Sequence, residues 1–339
     1  MNIKGLLISS AAAIVAVSGA QAADAIVVAE PEPMEYVRIC DTYGTGYFYI
    51  PGTETCLKIG GYLRYQMNYV KPDGSDYAFD KLARFAPTFT AKNQTEWGTL
   101  TSHAQVLFDW ASGSTFYGTG TALEHAYISL DNGTSSFLVG KTDTPFYEFL
   151  GFWAGPTIHE GAYGGANTGQ LRYTYNAGNG FSFVAAVVEN PNDNDFHPSV
   201  EGGVSYTQDW GWVAGAVAYD TFVEQFAARA GIGFNFTPAI SFSLHGMYAD
   251  DDVAGMYSLN DAPWTGGNQA EWAVLAGVSA GLTDKVTLNG HFQYLDTEEW
   301  NAAVNLAWTP VNGLTITPEV AYESSTESTI GFLRFQRNF

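Results

Sequence analysis

Past its N-terminus, this chain lacks any long apolar run. No later segment approaches the roughly 18 consecutive apolar residues that a membrane-spanning helix needs. It lacks helical periodicity as well: no useful length of it repeats apolar residues every three or four positions. Basic charge is scarce, with 14 Lys and Arg against 35 Asp and Glu and a net charge of −21. That balance argues against nucleic acid or anionic lipid headgroups as partners, because both are held by basic patches. Cysteine is nearly absent, with Cys40 and Cys56 alone. Two thiolates without a nearby His do not complete a metal site, and the six His residues are scattered, with none paired on one face. There is no phosphate-binding loop and no dinucleotide fingerprint between a strand and a helix. No cofactor or metal is therefore implied.

What is present points elsewhere. Lys4, an apolar run from Gly5 to about Val17, and Ala20-Gln21-Ala22 read as a bacterial secretory signal peptide over 1–22. Removing Lys4 takes the net charge to −22. Secretion into an oxidising compartment makes a Cys40–Cys56 disulfide the expected fate of the two thiols, closing a loop around Tyr47-Phe48-Tyr49. Residues 23–56, with "AEPEPMEYV", lack sustained periodicity and read as an N-terminal extension ending in that loop.

From Leu57 to Phe339 an alternation of period two sets in and persists. The segment "KVTLNGHFQYL" (285–295) is typical: Val286, Leu288, Gly290, Phe292 and Tyr294 form one set, and Thr287, Asn289, His291 and Gln293 the other. Such a strand has one apolar and one polar face. In a soluble protein the apolar face turns into a core; in a membrane barrel it turns out to lipid. Aromatics decide between them. Tyr69, Trp110, Phe236, Tyr248, Tyr294, Trp300, Trp308 and Tyr322 sit at the ends of the apolar stripes, where interfacial girdles lie. Phe292 should therefore face lipid and His291 water.

Sixteen such segments, from 57–70 to 328–339, are separated by connections that alternate short and long. "DNGTS", "NAGNG" and "TPVNG" are among the short, turn-rich ones; 71–80, 111–120, 142–167, 190–198, 250–269 and 296–299 read as long. An even number of antiparallel strands with short turns at one end and long loops at the other predicts an all-β, 16-stranded transmembrane β-barrel, with short periplasmic turns and long extracellular loops. A soluble secreted β-sandwich that binds carbohydrate is the alternative from another class. The pattern "GVSAG" (277–281) matches a serine nucleophile elbow, but Ser279 continues a strand alternation instead of joining a strand to a helix, so no enzyme is expected.

On the polar sets of their strands stand Lys58, Arg64, Arg84, Arg172, Arg229 and Arg334, and Arg334, Arg64 and Arg84 become neighbours once a barrel closes. A basic ladder of this kind, facing acids, would set a transverse field across a lumen. Acids gather in the connections: Asp73, Asp76, Asp80, Asp193, Asp195, Asp250, Asp251, Asp252, Asp261, Glu298, Glu299, Glu323 and Glu327. They read as a solvated rim that enriches cations, with weak divalent-ion binding beside anionic lipopolysaccharide as the alternative.

The stretch "EYVRICDTYGTGYFYIPGTETCLKIGGYLRYQ" (35–66), with both cysteines in matching places, "LVGKTDTPFY" and "GFLRFQRNF" resemble the alphaproteobacterial general porins over the whole mature chain. The resemblance implies a homotrimeric outer-membrane channel for passive diffusion of small hydrophilic solutes and ions. A sugar-type, substrate-specific channel of the same fold is the nearer alternative. It further implies that 142–167, carrying Asp143, Glu148, His159 and Glu160 and no Lys or Arg, folds inward as the constriction loop. The last strand, ending with Phe335 and Phe339 on one set, resembles the signal read by the barrel assembly machinery, although Arg337 departs from its apolar pattern.

Overall fold

The computed structural model describes residues 37–113, 116–148, 157–161, 164–191, 195, 197–250 and 256–339. The signal segment 1–22, the first part of the 23–56 extension, Asp193, Asp251 and Asp252 lie outside the described residues. Sixteen long strands make up most of what is described. The first eight are β1 (Cys56–Lys71), β2 (Ala78–Thr95), β3 (Gly98–Ser112), β4 (Gly120–Asp131), β5 (Ser135–Asp143), β6 (Asn167–Asn176), β7 (Phe181–Val188) and β8 (Ser199–Gln208). The others are β9 (Gly211–Asp220), β10 (Gln225–Thr237), β11 (Ile240–Ala249), β12 (Trp272–Thr283), β13 (Val286–Leu295), β14 (Trp300–Val311), β15 (Leu314–Glu323) and β16 (Ser328–Asn338). Each pairs antiparallel with its sequence neighbours, and β16 returns to β1, with Thr329 opposite Lys71 and Asn338 opposite Tyr62. Closure pairs every wall strand on both sides, the condition for β-structure in hydrocarbon.

The faces fall as the alternation predicts. In β13 Leu288, Phe292 and Tyr294 are exposed on the outside, while Asn289, His291 and Gln293 are buried inside. Around the wall Ile59, Leu63, Phe85, Phe89, Val204, Val217, Val278, Val304 and Val320 are likewise exposed outward. At the long-loop end the outward rings form a belt. Trp272 stands opposite Tyr248 and 6.1 Å from Tyr294, and Trp300 stacks on Phe292 at 5.8 Å and meets Tyr322 at 5.1 Å.

The connections depart from the regular alternation. Beside long ones such as 144–166 and 250–271, the same end carries tight turns at 221–224, 296–299 and 324–327, so 296–299 is not a long loop. Glu224, Glu298 and Glu327 hold φ of 56°, 65° and 47°, the left-handed position that lets a tight turn rejoin its strand. Glycine or Asn, the usual signal of that conformation, is missing there. Ser279 lies within β12, opposite Ser241 and Asn289, and its hydroxyl donates to Asn289 Oδ1 at 2.7 Å, so no elbow forms.

Cys40 and Cys56 are joined, with Cα atoms 6.0 Å apart, and each is 1% exposed. The short strand Tyr47–Tyr49 pairs with Cys56–Lys58 beyond the end of β16. The buried Tyr47 ring lies between the ammonium groups of Lys58 and Lys92, at 5.7 and 5.8 Å. The disulfide loop thus rests on the wall at the short-turn end.

Two outcomes follow from this arrangement. Val304→Lys, on the outer face, should destabilise the protein in lipid bilayers by about 2–4 kcal/mol, and Tyr62→Lys, on the inner face, by much less; equal losses in a denaturant titration would mean the faces are reversed. Replacing Cys40 and Cys56 together by Ser should leave a heat-modifiable barrel but speed amide exchange across residues 40–49, since closing a loop of this size contributes about 3 kcal/mol.

Candidate pore constriction

The connection after β5 turns into the lumen at a short helix, Pro145–Glu148. Thr144 precedes it, its carbonyl accepting from the Tyr147 and Glu148 N–H groups at 3.0 and 2.9 Å, and Pro145 needs no partner for a missing N–H. Phe146 is held through both of its backbone polar groups. Phe146 N–H donates to Glu201 Oε2 at 2.6 Å, and Arg229 Nη1 donates to the Phe146 carbonyl at 2.6 Å. Glu201 and Arg229 are buried, on β8 and β10. The Tyr257 hydroxyl, from the 250–271 connection, donates to Glu201 Oε1 at 2.7 Å. Burial, then the neighbouring carboxylate, raises the Tyr257 pKa above its ordinary value, so it stays a donor.

The far part of the same loop is held by two more buried carboxylates. Glu319 accepts from Ile158 N–H, His159 N–H and Asn305 Nδ2 at 2.5, 2.6 and 2.8 Å. Glu323 Oε1 lies 3.0 Å from His159 Nε2 and accepts from Trp264 N–H at 2.9 Å, and its Oε2 accepts from the Thr265 hydroxyl. His159 and Glu323 are both fully buried, and the imidazole stacks on His291 at 5.4 Å. Each such hydrogen bond contributes about 0.5–1.5 kcal/mol net, and more is lost if its partner is removed. These bonds replace water for backbone groups that the inward fold removes from solvent.

The sequence-predicted residues separate into distinct groups here. Arg64 and Arg84 are directly opposite on β1 and β2, and Arg334 on β16 is opposite Gln66. Arg84 is neutralised by Asp109 on β3, through two bonds of 2.8 and 2.7 Å. Arg64 Nε donates to Gln336 Oε1 at 2.9 Å and Arg334 Nε to Gln66 Oε1 at 2.5 Å; both guanidinium groups interact electrostatically with Glu160 of the loop. Arg172 is 3.8 Å from Glu148. Arg229 is buried beneath the loop, and Lys58 stands apart by Tyr47 at the short-turn end.

Asp143 does not join them. By strand alternation it continues the outward set of Phe137 and Val139, while Thr142 points inward, and it accepts from Asn167 Nδ2 at 2.9 Å. A strand that still pairs at Asp143–Asn167 keeps its alternation, and the loop turns inward only afterwards. Three of the acids read as a rim are corrected too, while Asp73, Asp76, Asp195, Glu298 and Glu327 stand exposed. Asp80, Asp261 and Glu323 are buried, and Asp80 accepts from Asn68 Nδ2 at 2.5 Å and Phe116 N–H at 2.9 Å.

Glu201, Glu319 and Asp109 escaped the sequence reading, although each occupies the inward set of its strand, where an acid is as noticeable as an arginine. Removing one tests the anchoring. Glu319→Ala leaves two buried loop N–H groups without their acceptor, at about 1–3 kcal/mol each. It should raise open-state current noise at least severalfold in single-channel records while the barrel stays heat-modifiable; quiet channels would show that the loop is held elsewhere.

The chain as a whole is similar to known proteins. The family described as the Porin subfamily matches residues 24–334. The chain is 41% identical over 379 aligned residues to Porin Omp2a of Brucella suis, covering all of both proteins. It is 40% identical over 375 to Porin Omp2b of Brucella canis, again covering all of both. Among solved structures, a mutant of the porin of Rh. blastica superposes with a TM-score of 0.64 at 16% identity, over 84% of this chain and 100% of that one.

Proposed function

The chain belongs to the porin subfamily and is an outer-membrane porin, and from that premise we propose that it passes small hydrophilic solutes and ions through a constriction between Arg64 and Arg334 on the wall and Glu160 on the loop. It is a channel rather than an enzyme. The observation that carries the proposal is the charge asymmetry left after local pairing. Arg84 has Asp109, Arg172 has Glu148, and Arg229 is buried with the Phe146 carbonyl, so Arg64 and Arg334 are the wall cations that face the loop acid. Opposed fixed charges of this kind orient dipolar solutes and bias ion selectivity where the lumen is narrow.

Three further assignments belong to the same reading. The channel works as a homotrimer, as the family resemblance implies. It sits among lipopolysaccharide, with the aromatic belt at the polar–apolar boundary. Its final strand, with Phe335 and Phe339, is read by the barrel assembly machinery; Phe339 closes a backbone pair with Gly61 at 3.1 Å in both directions.

The test is single-channel recording of the refolded protein in planar bilayers under a salt gradient. Conductance steps in threes, linear in salt, are the expected result. Arg64→Gln with Arg334→Gln should shift the reversal potential toward cation preference, and Glu160→Gln should shift it the other way. An unchanged reversal potential in both variants would move the selectivity element away from these residues.

A further inference from the structure

The 250–271 connection was not expected to take part in the lumen, yet its described part folds inward beside the constriction loop. Trp264 N–H and the Thr265 hydroxyl bind Glu323, the same carboxylate that meets His159. The Trp264 indole is seated edge-on against Phe116 at 5.2 Å and Phe332 at 5.0 Å. It meets the Tyr117 ring at 6.4 Å. Tyr117 in turn touches the basic wall: the Gln66 Nε2 donates to its hydroxyl at 3.3 Å, and the Arg84 guanidinium lies 5.9 Å from its ring centre. Gln66 is the residue that accepts from Arg334 Nε. Tyr117 and Trp264 are only half-buried, so a packed aromatic surface stays accessible beside guanidinium groups.

We propose that Trp264 and Tyr117, together with Arg334 and Arg64, form a binding subsite at the long-loop end of the constriction for solutes that carry a carboxylate a few bonds from an aromatic ring. This rests on the channel reading above and goes beyond it, because a field alone distinguishes charge and not shape. The Arg64 and Arg334 hydrogen bonds run through Nε, which leaves the terminal amino edges to meet a carboxylate in the two-pronged geometry guanidinium groups favour. The ring of the solute then lies on Tyr117 and Trp264; Phe116 and Phe332 hold the Trp264 indole, and Gln66 holds the Tyr117 hydroxyl. Fixed rings bind a planar partner without first being ordered.

The experiment uses matched probes in single-channel records: phenylpropionate, propionate and phenylpropanol, added at the long-loop side. Phenylpropionate should reduce the open current at concentrations about fivefold lower than propionate, within what one aromatic contact contributes. Phenylpropanol should have little effect. Trp264→Ala should bring the two anions to within about twofold, Trp264→Phe should keep most of the difference, and Arg334→Gln should weaken block by both anions. Normal conductance in salt with equal block by the two anions, or with a difference that survives Trp264→Ala, overturns the subsite and leaves the channel reading standing. No conductance from the wild-type protein in salt alone overturns both.

Discussion

The inward loops of this barrel depend on one interaction, a buried wall carboxylate accepting hydrogen bonds from loop backbone. A loop drawn into a lumen loses water from N–H groups that have no strand or helix to satisfy them. Here Glu201, Glu319 and Glu323 replace that water, each binding at least two donors. Glu201 and Glu319 project from inward positions within their strands, and Glu323 ends β15. The loops are therefore referenced to the rigid wall as well as to each other, where Gly165 N–H donates to the Met256 carbonyl at 3.1 Å and Phe146 meets Tyr257 edge-on at 5.0 Å. Glu323 does most to join them, since it holds His159 of one loop and Trp264 of another.

In the proposed channel reading, local pairing decides which charges act on a passing solute. Six basic residues lie on the inward face, but local partners remove several of them from the field. Asp109 answers Arg84, Glu148 answers Arg172, and Arg229 serves the Phe146 carbonyl from beneath the loop. In the channel reading proposed above, what remains is a short pair, Arg64 and Arg334, which interact electrostatically with Glu160 beside an aromatic shelf. The net charge of the chain does not say where its acids stand: Asp80, Asp261 and Glu323 are buried in hydrogen bonds, while Asp73, Asp76 and Asp195 are exposed.

The outer surface obeys a different constraint. Lipid offers no hydrogen bonds, so the wall closes β16 on β1 and presents apolar side chains on every second residue. Tyr and Trp collect where the apolar band ends, and the belt from Tyr248 to Tyr322 marks that level at the long-loop end.

Period two in the sequence by itself determined the strand number, the outward face and the inward position of Arg64, Arg84 and Arg334. Those properties depend on alternation, which a local pattern records. The Cys40–Cys56 bridge was legible as well, because two thiols in an exported chain leave one pairing. Only the tertiary structure decided which charges neutralise each other. Arg84 and Asp109 are 25 residues apart, and the Ile158–Glu319 contact spans 161. Strand register and the inward turn of a loop bring such groups together, and neither leaves a local trace. Asp143 shows the limit at its sharpest. It belongs to the loop by composition, yet one more strand pairing gives it the outward register, because a single residue of register turns a side chain from one face to the other.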